Sequence, residues 1–217
     1  MLFFAPPDFD RWIYPTSTPK PVPRIEIDVS EAPETKAWAE KARGVAQAWY
    51  GTICTLLATD SYKNPKVIRF VFSPKLNYPA GTANDTITFS AKWVTDHPED
   101  FGVVIHELTH VIQQYPGSPT TPGWIVEGIA DYIRWLKYEP AFRRPRLNLD
   151  KARYQDGYGT AATFLDWAGS KYDLRLIPSL DRSMRKGEDP MPWFEKFTGK
   201  DVDTLWKEFI DTLRKRA

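Results

Sequence analysis

The chain has 217 residues, 42% of them hydrophobic, and its 29 basic and 28 acidic side chains leave a formal net charge of only +1. A chain of this length buries a sizeable core, and the balanced charge argues against nucleic acid as a partner. No apolar run approaches the roughly 20 residues that span a bilayer, so we expect no membrane insertion.

The first part of the chain predicts an extended arm followed by strands and one long helix. Residues 1–23 are rich in Pro and predict an arm without regular structure. Residues 24–29 alternate as a strand, whereas residues 34–57 carry apolar side chains at helical spacing. Residues 66–73 and 86–90, rich in β-branched and aromatic residues, predict two further strands.

A HExxH motif, formed by His106, Glu107 and His110, lies inside a predicted helix over residues 101–112. Residues four apart share a helix face, so both imidazoles can reach one ion while Glu107 lies beside them. This arrangement is typical of a Zn²⁺ hydrolase, in which the Glu is the general base. The alternative is a core helix with two polar positions at its rim.

A third ligand is predicted on the next helix. Residues 113–123 are rich in Pro and Gly and predict a loop, and Glu127 then lies in an apolar segment over residues 124–132. Two His and one Glu leave a zinc position open for water, as in a catalytic site. A closed structural site without carboxylates would need all three His and the single Cys of the chain, so structural zinc is disfavoured. Asp131, one turn further on, is a candidate partner of a zinc-bound His; the alternative is an ordinary surface Asp.

Residues 202–213 carry a clean apolar stripe and predict a final helix that packs back on the domain. Helices therefore dominate the C-terminal half, and the fold class is α+β. We expect residues 24–217 to form a single domain, with an α/β part over residues 24–115 and a helical part over residues 116–217.

The order HELTH, then GWIVEGIADYIR, then YGTAATFL resembles the basic secretory protein family, the peptidases of plants and bacteria, over about residues 24–213. The WIVEG segment also resembles the Glu-ligand turn of gluzincin aminopeptidases. The resemblance implies a zincin-like fold, in which a small mixed sheet places an edge strand beside the HExxH helix. The near-neutral chain departs from the basicity in the family name, so attraction to a polyanion does not carry over.

The resemblance also implies residues that contact substrate. The edge strand of a zincin pairs with an extended peptide, and the matching segment here contains Gly81, Thr82 and Ala83; the alternative is an ordinary hairpin. Tyr158 lies where the family pattern has a recurring Tyr, which makes it the candidate donor to the oxyanion, ahead of Tyr154. A tyrosine packed in the core is the alternative for this position.

The sequence therefore predicts a zinc metallopeptidase that hydrolyses extended polypeptides, and it leaves open endopeptidase or aminopeptidase action. One alternative is a non-catalytic secreted zinc-binding module for defence or interaction; another is a zinc amidase acting on cell-wall peptides. We expect a monomer. The first residues do not fit a signal peptide, so either the protein is intracellular or its leader is absent from this chain. The family resemblance implies the second, with a secreted or periplasmic location. Cys54 is the single cysteine, which excludes an intramolecular disulfide.

Overall fold

The computed structural model describes residues 20–57, 62–141 and 147–215. The chain forms two compact units, Met1–Gln114 and Tyr115–Ala217. Most of the predicted N-terminal arm lies outside the described residues. The prediction of one domain from residue 24 onward, divided near residue 115, stays a prediction.

The first unit contains a mixed four-stranded sheet in the order β1-β2-β4-β3. The strands are β1 (Arg24–Asp28), β2 (Val67–Ser73), β3 (Ala80–Ala83) and β4 (Thr86–Ser90). Strands β1, β2 and β4 run parallel, and β3 pairs antiparallel with β4 through a hairpin. The sheet therefore has a parallel centre and an antiparallel edge strand.

Alternation along the strands divides the sheet into a buried face and an open face. Ile68, Phe70 and Phe72 of β2 are buried, as are Ile87 and Phe89 of β4. Helix α1 (Lys36–Leu57) contributes Trp38, whose ring meets Phe72 and Phe89 edge-on at 5.9 and 5.4 Å between centroids. Aromatic packing on one face thus forms the core of the first unit.

Two further helices complete this unit, α2 (Ala91–Asp96) and α3 (Gly102–Gln113). Asp100 precedes α3, and its Oδ1 accepts a hydrogen bond from the amide of Val103 at 3.2 Å, which satisfies one of the unpaired amides at the helix start. The helix ends at Gln114, whose left-handed backbone (φ 47°) cannot continue it. Every residue of α3 except His110 is buried, so the helix is held firmly in the core.

The regular secondary structure of the second unit is helical in the described residues. It contains α4 (Gly123–Asp131), α5 (Tyr158–Lys171), α6 (Leu176–Arg185), α7 (Pro192–Thr198) and α8 (Val202–Arg214). A π-helical segment, Tyr132–Tyr138, continues α4, and a single 3-10 turn, Tyr154–Asp156, precedes α5. These elements and the mixed sheet confirm the predicted α+β class. Among the described helices, none is both long and apolar enough to span a membrane.

Candidate metal centre

His106 and His110 project from one face of α3, as their spacing of four residues requires. Their Nε2 atoms are 3.1 Å apart, and the two rings meet edge to face with centroids 4.8 Å apart. His106 is nearly buried, at 8% exposure. The HExxH helix therefore presents two imidazole nitrogens at one point.

Gln113, one turn after His110, fixes the tautomer of that imidazole. The Gln113 side chain is buried, and its Oε1 lies 2.7 Å from His110 Nδ1. An amide oxygen only accepts hydrogen bonds, so Nδ1 carries the ring proton and Nε2 keeps its lone pair. His110 is thus prepared to bind a cation through Nε2.

Glu107 points to the sheet. Its side chain is buried, at 5% exposure, and its Oε2 accepts a hydrogen bond from the hydroxyl of Thr82 at 2.7 Å. The same hydroxyl lies 3.1 Å from the backbone oxygen of Glu107. A residue of edge strand β3 therefore contacts the carboxylate of the motif directly.

The register of β3 with β4 determines where the backbone groups of Thr82 point. Ser90 donates to the Pro79 oxygen at 2.9 Å, next to the register pair Ala80 and Phe89. Hydrogen-bonded pairs alternate in an antiparallel ladder, so Gly81 and Ala83 bond to β4. The N–H and C=O groups of Ala80 and Thr82 therefore point away from β4, to the sheet edge.

The three residues predicted to bind substrate thus differ in orientation. Thr82 directs its side chain towards α3, and by alternation Gly81 and Ala83 face the opposite side of the sheet. A β-carbon at Gly81 would lie only 3.1 Å from the ring of Tyr78, which covers this residue. Backbone pairing at Thr82 is therefore the contact that this strand offers beside Glu107.

Glu127 of α4 provides a third donor. One candidate ligand atom from each of His106, His110 and Glu127 lies within 4.8 Å of the others. Asp131 is buried at the C-terminal end of α4, at 3% exposure, and its role as partner of a ligand His stays a prediction.

The two candidate tyrosines have different surroundings. The Tyr154 hydroxyl donates to Asp203 Oδ1 at 2.9 Å, and burial together with this bond raises the pKa of Tyr154 to about 12. Tyr158 is 56% exposed and has a left-handed backbone (φ 43°), which costs a non-glycine residue roughly 1–3 kcal/mol. It follows Gly157, where a β-carbon would lie 3.8 Å from Cβ of Glu127. The choice of Tyr158 over Tyr154 as the donor stays a prediction.

Comparison with known proteins agrees with this site. The model of the BSP family, described as "Peptidase of plants and bacteria", matches residues 52–209. The chain belongs to this family. Neither the curated proteins nor the solved structures contain a match. Membership in the BSP family, together with the candidate metal site, identifies the chain as a metallopeptidase and confirms the predicted resemblance.

The donor set of this BSP peptidase fits zinc. Two imidazole nitrogens and one carboxylate oxygen are borderline and hard donors in the combination typical of catalytic zinc. The Nε2 atoms of His106 and His110 lie 3.1 Å apart, so both can turn to one cation with little movement of α3.

Two residues of this BSP peptidase were not assigned these roles from the sequence. Gln113 lies three residues after His110, a helical spacing at which side chains meet, so the sequence contained the signal for this contact. Thr82 was predicted to contact substrate, but its bond to Glu107 depends on the packing of β3 against α3. No local sequence pattern encodes that contact.

Proposed function

We propose that the protein is a zinc-dependent peptidase that cleaves extended polypeptides. The observation that supports this proposal best is the cluster of donor atoms from His106, His110 and Glu127, within 4.8 Å of one another, with the buried Glu107 next to His106 in the chain. A site used only for metal binding does not need this additional carboxylate.

Each residue has a distinct task in this proposal. His106, His110 and Glu127 hold zinc, which when bound supplies a Lewis acid that polarises the peptide carbonyl and lowers the pKa of water. Glu107 accepts the proton of the attacking water and passes it to the leaving amine. Tyr158 donates a hydrogen bond to the carbonyl oxygen as negative charge develops there.

The edge of β3 supports an extended polypeptide as substrate. An added strand gains backbone hydrogen bonds from Thr82 whatever its side chains are, so pairing of this kind requires an extended chain and little sequence specificity. Folded proteins without an exposed extended segment should resist cleavage. Digestion of matched folded and unfolded protein substrates tests this point.

The decisive experiment compares Glu107→Gln with the double substitution His106→Ala and His110→Ala. Glu107→Gln should keep about one zinc per chain and lose nearly all hydrolysis of a mixed peptide library, because an amide cannot accept the proton. The double substitution should lose both zinc and activity. Elemental analysis and mass spectrometry of the digests provide the two measurements.

Four outcomes would change the proposal. If the double variant contained as much zinc as the parent, His106 and His110 would not be the ligands. If Glu107→Gln kept full activity, Glu107 would not be the general base. A parent protein that binds zinc but cleaves no peptide would favour the non-catalytic binding module. Cleavage restricted to cell-wall peptides would favour the amidase.

A further inference from the structure

The hydroxyl of Thr82 faces two oxygens of Glu107 but has only one proton to donate. Oε2 lies 2.7 Å away and the backbone oxygen 3.1 Å away. A hydrogen bond to a carboxylate is shorter and stronger than one to a neutral carbonyl. The proton therefore goes to the carboxylate.

We propose that Thr82 is a positioning residue of the reaction, which orients the Glu107 carboxylate for proton transfer. This inference rests on the proposed function. The terminal torsion of a glutamate has a broad energy minimum, so the carboxylate rotates easily unless a partner holds it. The bond from Thr82 occupies Oε2 and leaves Oε1 to accept the proton of the attacking water.

The same residue also carries the backbone groups that face the sheet edge. The side chain of Thr82 holds the base, while its N–H and C=O groups point away from β4, where a substrate strand pairs. Docking of the substrate and orientation of the base thus depend on one residue. Because the side chain and the backbone groups belong to one residue, the covalent geometry of Thr82 fixes the position of a paired substrate strand relative to the Glu107 carboxylate.

The test separates the hydroxyl from the backbone. Thr82→Val keeps the side-chain shape and the β-branched strand preference but lacks the donor, whereas Thr82→Ser keeps the donor. We expect Thr82→Val to lower kcat on the order of 10-fold with KM unchanged, because only the transition state needs the oriented base. Thr82→Ser should restore kcat to within about threefold of the parent, by the same reasoning.

Thr88→Val provides the matched control. Thr88 lies on β4 opposite Gly81, on the face of the sheet away from Glu107, so its hydroxyl should not affect kcat. Zinc content, measured by elemental analysis, should match the parent in all three variants. If Thr82→Val does not fold, Thr82→Ala replaces it in the comparison with Thr82→Ser.

Glu107→Gln, measured in parallel, distinguishes failure of this inference from failure of the proposed function. If Glu107→Gln is inactive while Thr82→Val keeps the parent kcat, only the positioning role is overturned. The same conclusion follows if Thr82→Val and Thr82→Ser are equally impaired, or if KM rises while kcat is unchanged. If Glu107→Gln is itself active, the proposed function fails first.

Discussion

At the residue scale, Gln113 decides which nitrogen of His110 carries the proton. Gln113→Leu should weaken zinc binding roughly 10 to 100-fold, as loss of a partner of a ligand His typically does. Gln113→Glu keeps an acceptor at this position and should bind zinc at least as tightly as the parent. Competition with a chromophoric chelator measures both affinities, and an unchanged affinity in Gln113→Leu would show that the bond to His110 does not tune the ligand.

Tyr158 and Tyr154 should respond differently to loss of the hydroxyl. Tyr158→Phe should lower kcat with little change in KM or zinc affinity, because a donor to the developing oxyanion acts only in the transition state. Tyr154→Phe should keep the parent kcat and lose about 1 kcal/mol of stability, since its hydroxyl bonds Asp203. Peptide kinetics and urea denaturation of the two variants decide the assignment; a fully active Tyr158→Phe would leave the oxyanion to zinc.

The two His ligands, which have helical spacing, could be predicted from the sequence. The hydrogen bond from Thr82 to Glu107 could not. His106 and His110 are four apart on a helix, so any helical structure brings them to one face. Thr82 and Glu107 meet only because β3 packs beside α3, and no propensity or period encodes that pairing. The side chains of Thr82 and Gly81 belong to opposite faces of the sheet. Assigning each residue to its face likewise required the register of β3 with β4.

At the element scale, Gly128 sets the distance between α4 and α5. A β-carbon at Gly128 would lie 2.7 Å from Cβ of Ala161, closer than packed side chains approach. Gly128→Ala should therefore destabilise the protein by roughly 1–3 kcal/mol, despite the better helix propensity of alanine. Ala161→Gly in the same chain should recover part of the loss.

Gly51 supplies the matched control for this substitution. It lies within α1, and a β-carbon there meets nothing within 4 Å. Gly51→Ala should stabilise the protein by about 0.5–1 kcal/mol through helix propensity alone. Urea denaturation should thus give opposite signs at the two helical glycines, and equal signs would contradict the packing argument.

Helix α6 contains a buried ion pair whose contribution to stability depends on pH. Arg185 Nη2 lies 2.8 Å from Asp181 Oδ2, and the Tyr115 hydroxyl donates to Oδ1 at 2.8 Å. Burial raises the pKa of Asp181 to about 6, against the opposing effect of Arg185, Tyr115 and Arg182. Between the ordinary pKa of an Asp and about 6, Asp181 is more often protonated in the folded state than in the unfolded state. The free energy of unfolding therefore falls as the pH rises through this range.

Arg185→Met should reveal this dependence. The variant should lose about 3–5 kcal/mol at pH 8, where the buried carboxylate is charged and lacks its counterion. The loss should shrink at pH 5, where Asp181 is protonated. Arg24→Met, which breaks an exposed pair with Glu26, should cost under about 1 kcal/mol at either pH. Equal losses for Arg185→Met at the two pH values would contradict the assignment.

Elements with a clean hydrophobic period were the most predictable. The apolar stripes of α1 and α8 and the β-branched and aromatic residues of β2 placed these elements within two residues of their bounds. The π-helical segment Tyr132–Tyr138 was not predicted, because its apolar and aromatic residues fit a continued α-helix equally well. The close packing of Gly128 against Ala161 of α5 also lies outside any local sequence pattern.

At the scale of the whole molecule, the α+β class followed from the order of patterns along the chain. All four described strands precede α2, with α1 inserted between β1 and β2. Among them, only β3 departs from the parallel arrangement, because it pairs antiparallel with β4. The predicted monomer and the secreted or periplasmic location stay predictions, because both depend on surfaces and signals that neither the core nor the metal site determines.

Cys54 has a bearing on how the protein tolerates reducing agents. It is the single cysteine of the chain, and it is buried on α1 at 2% exposure, so the fold needs no oxidising compartment. Expression in a reducing cytoplasm should therefore yield folded protein. Inhibition by dithiothreitol would then indicate thiolate competition for zinc, because no disulfide within the chain is available to be reduced. A phosphine reductant, which lacks thiol groups, should leave the activity intact.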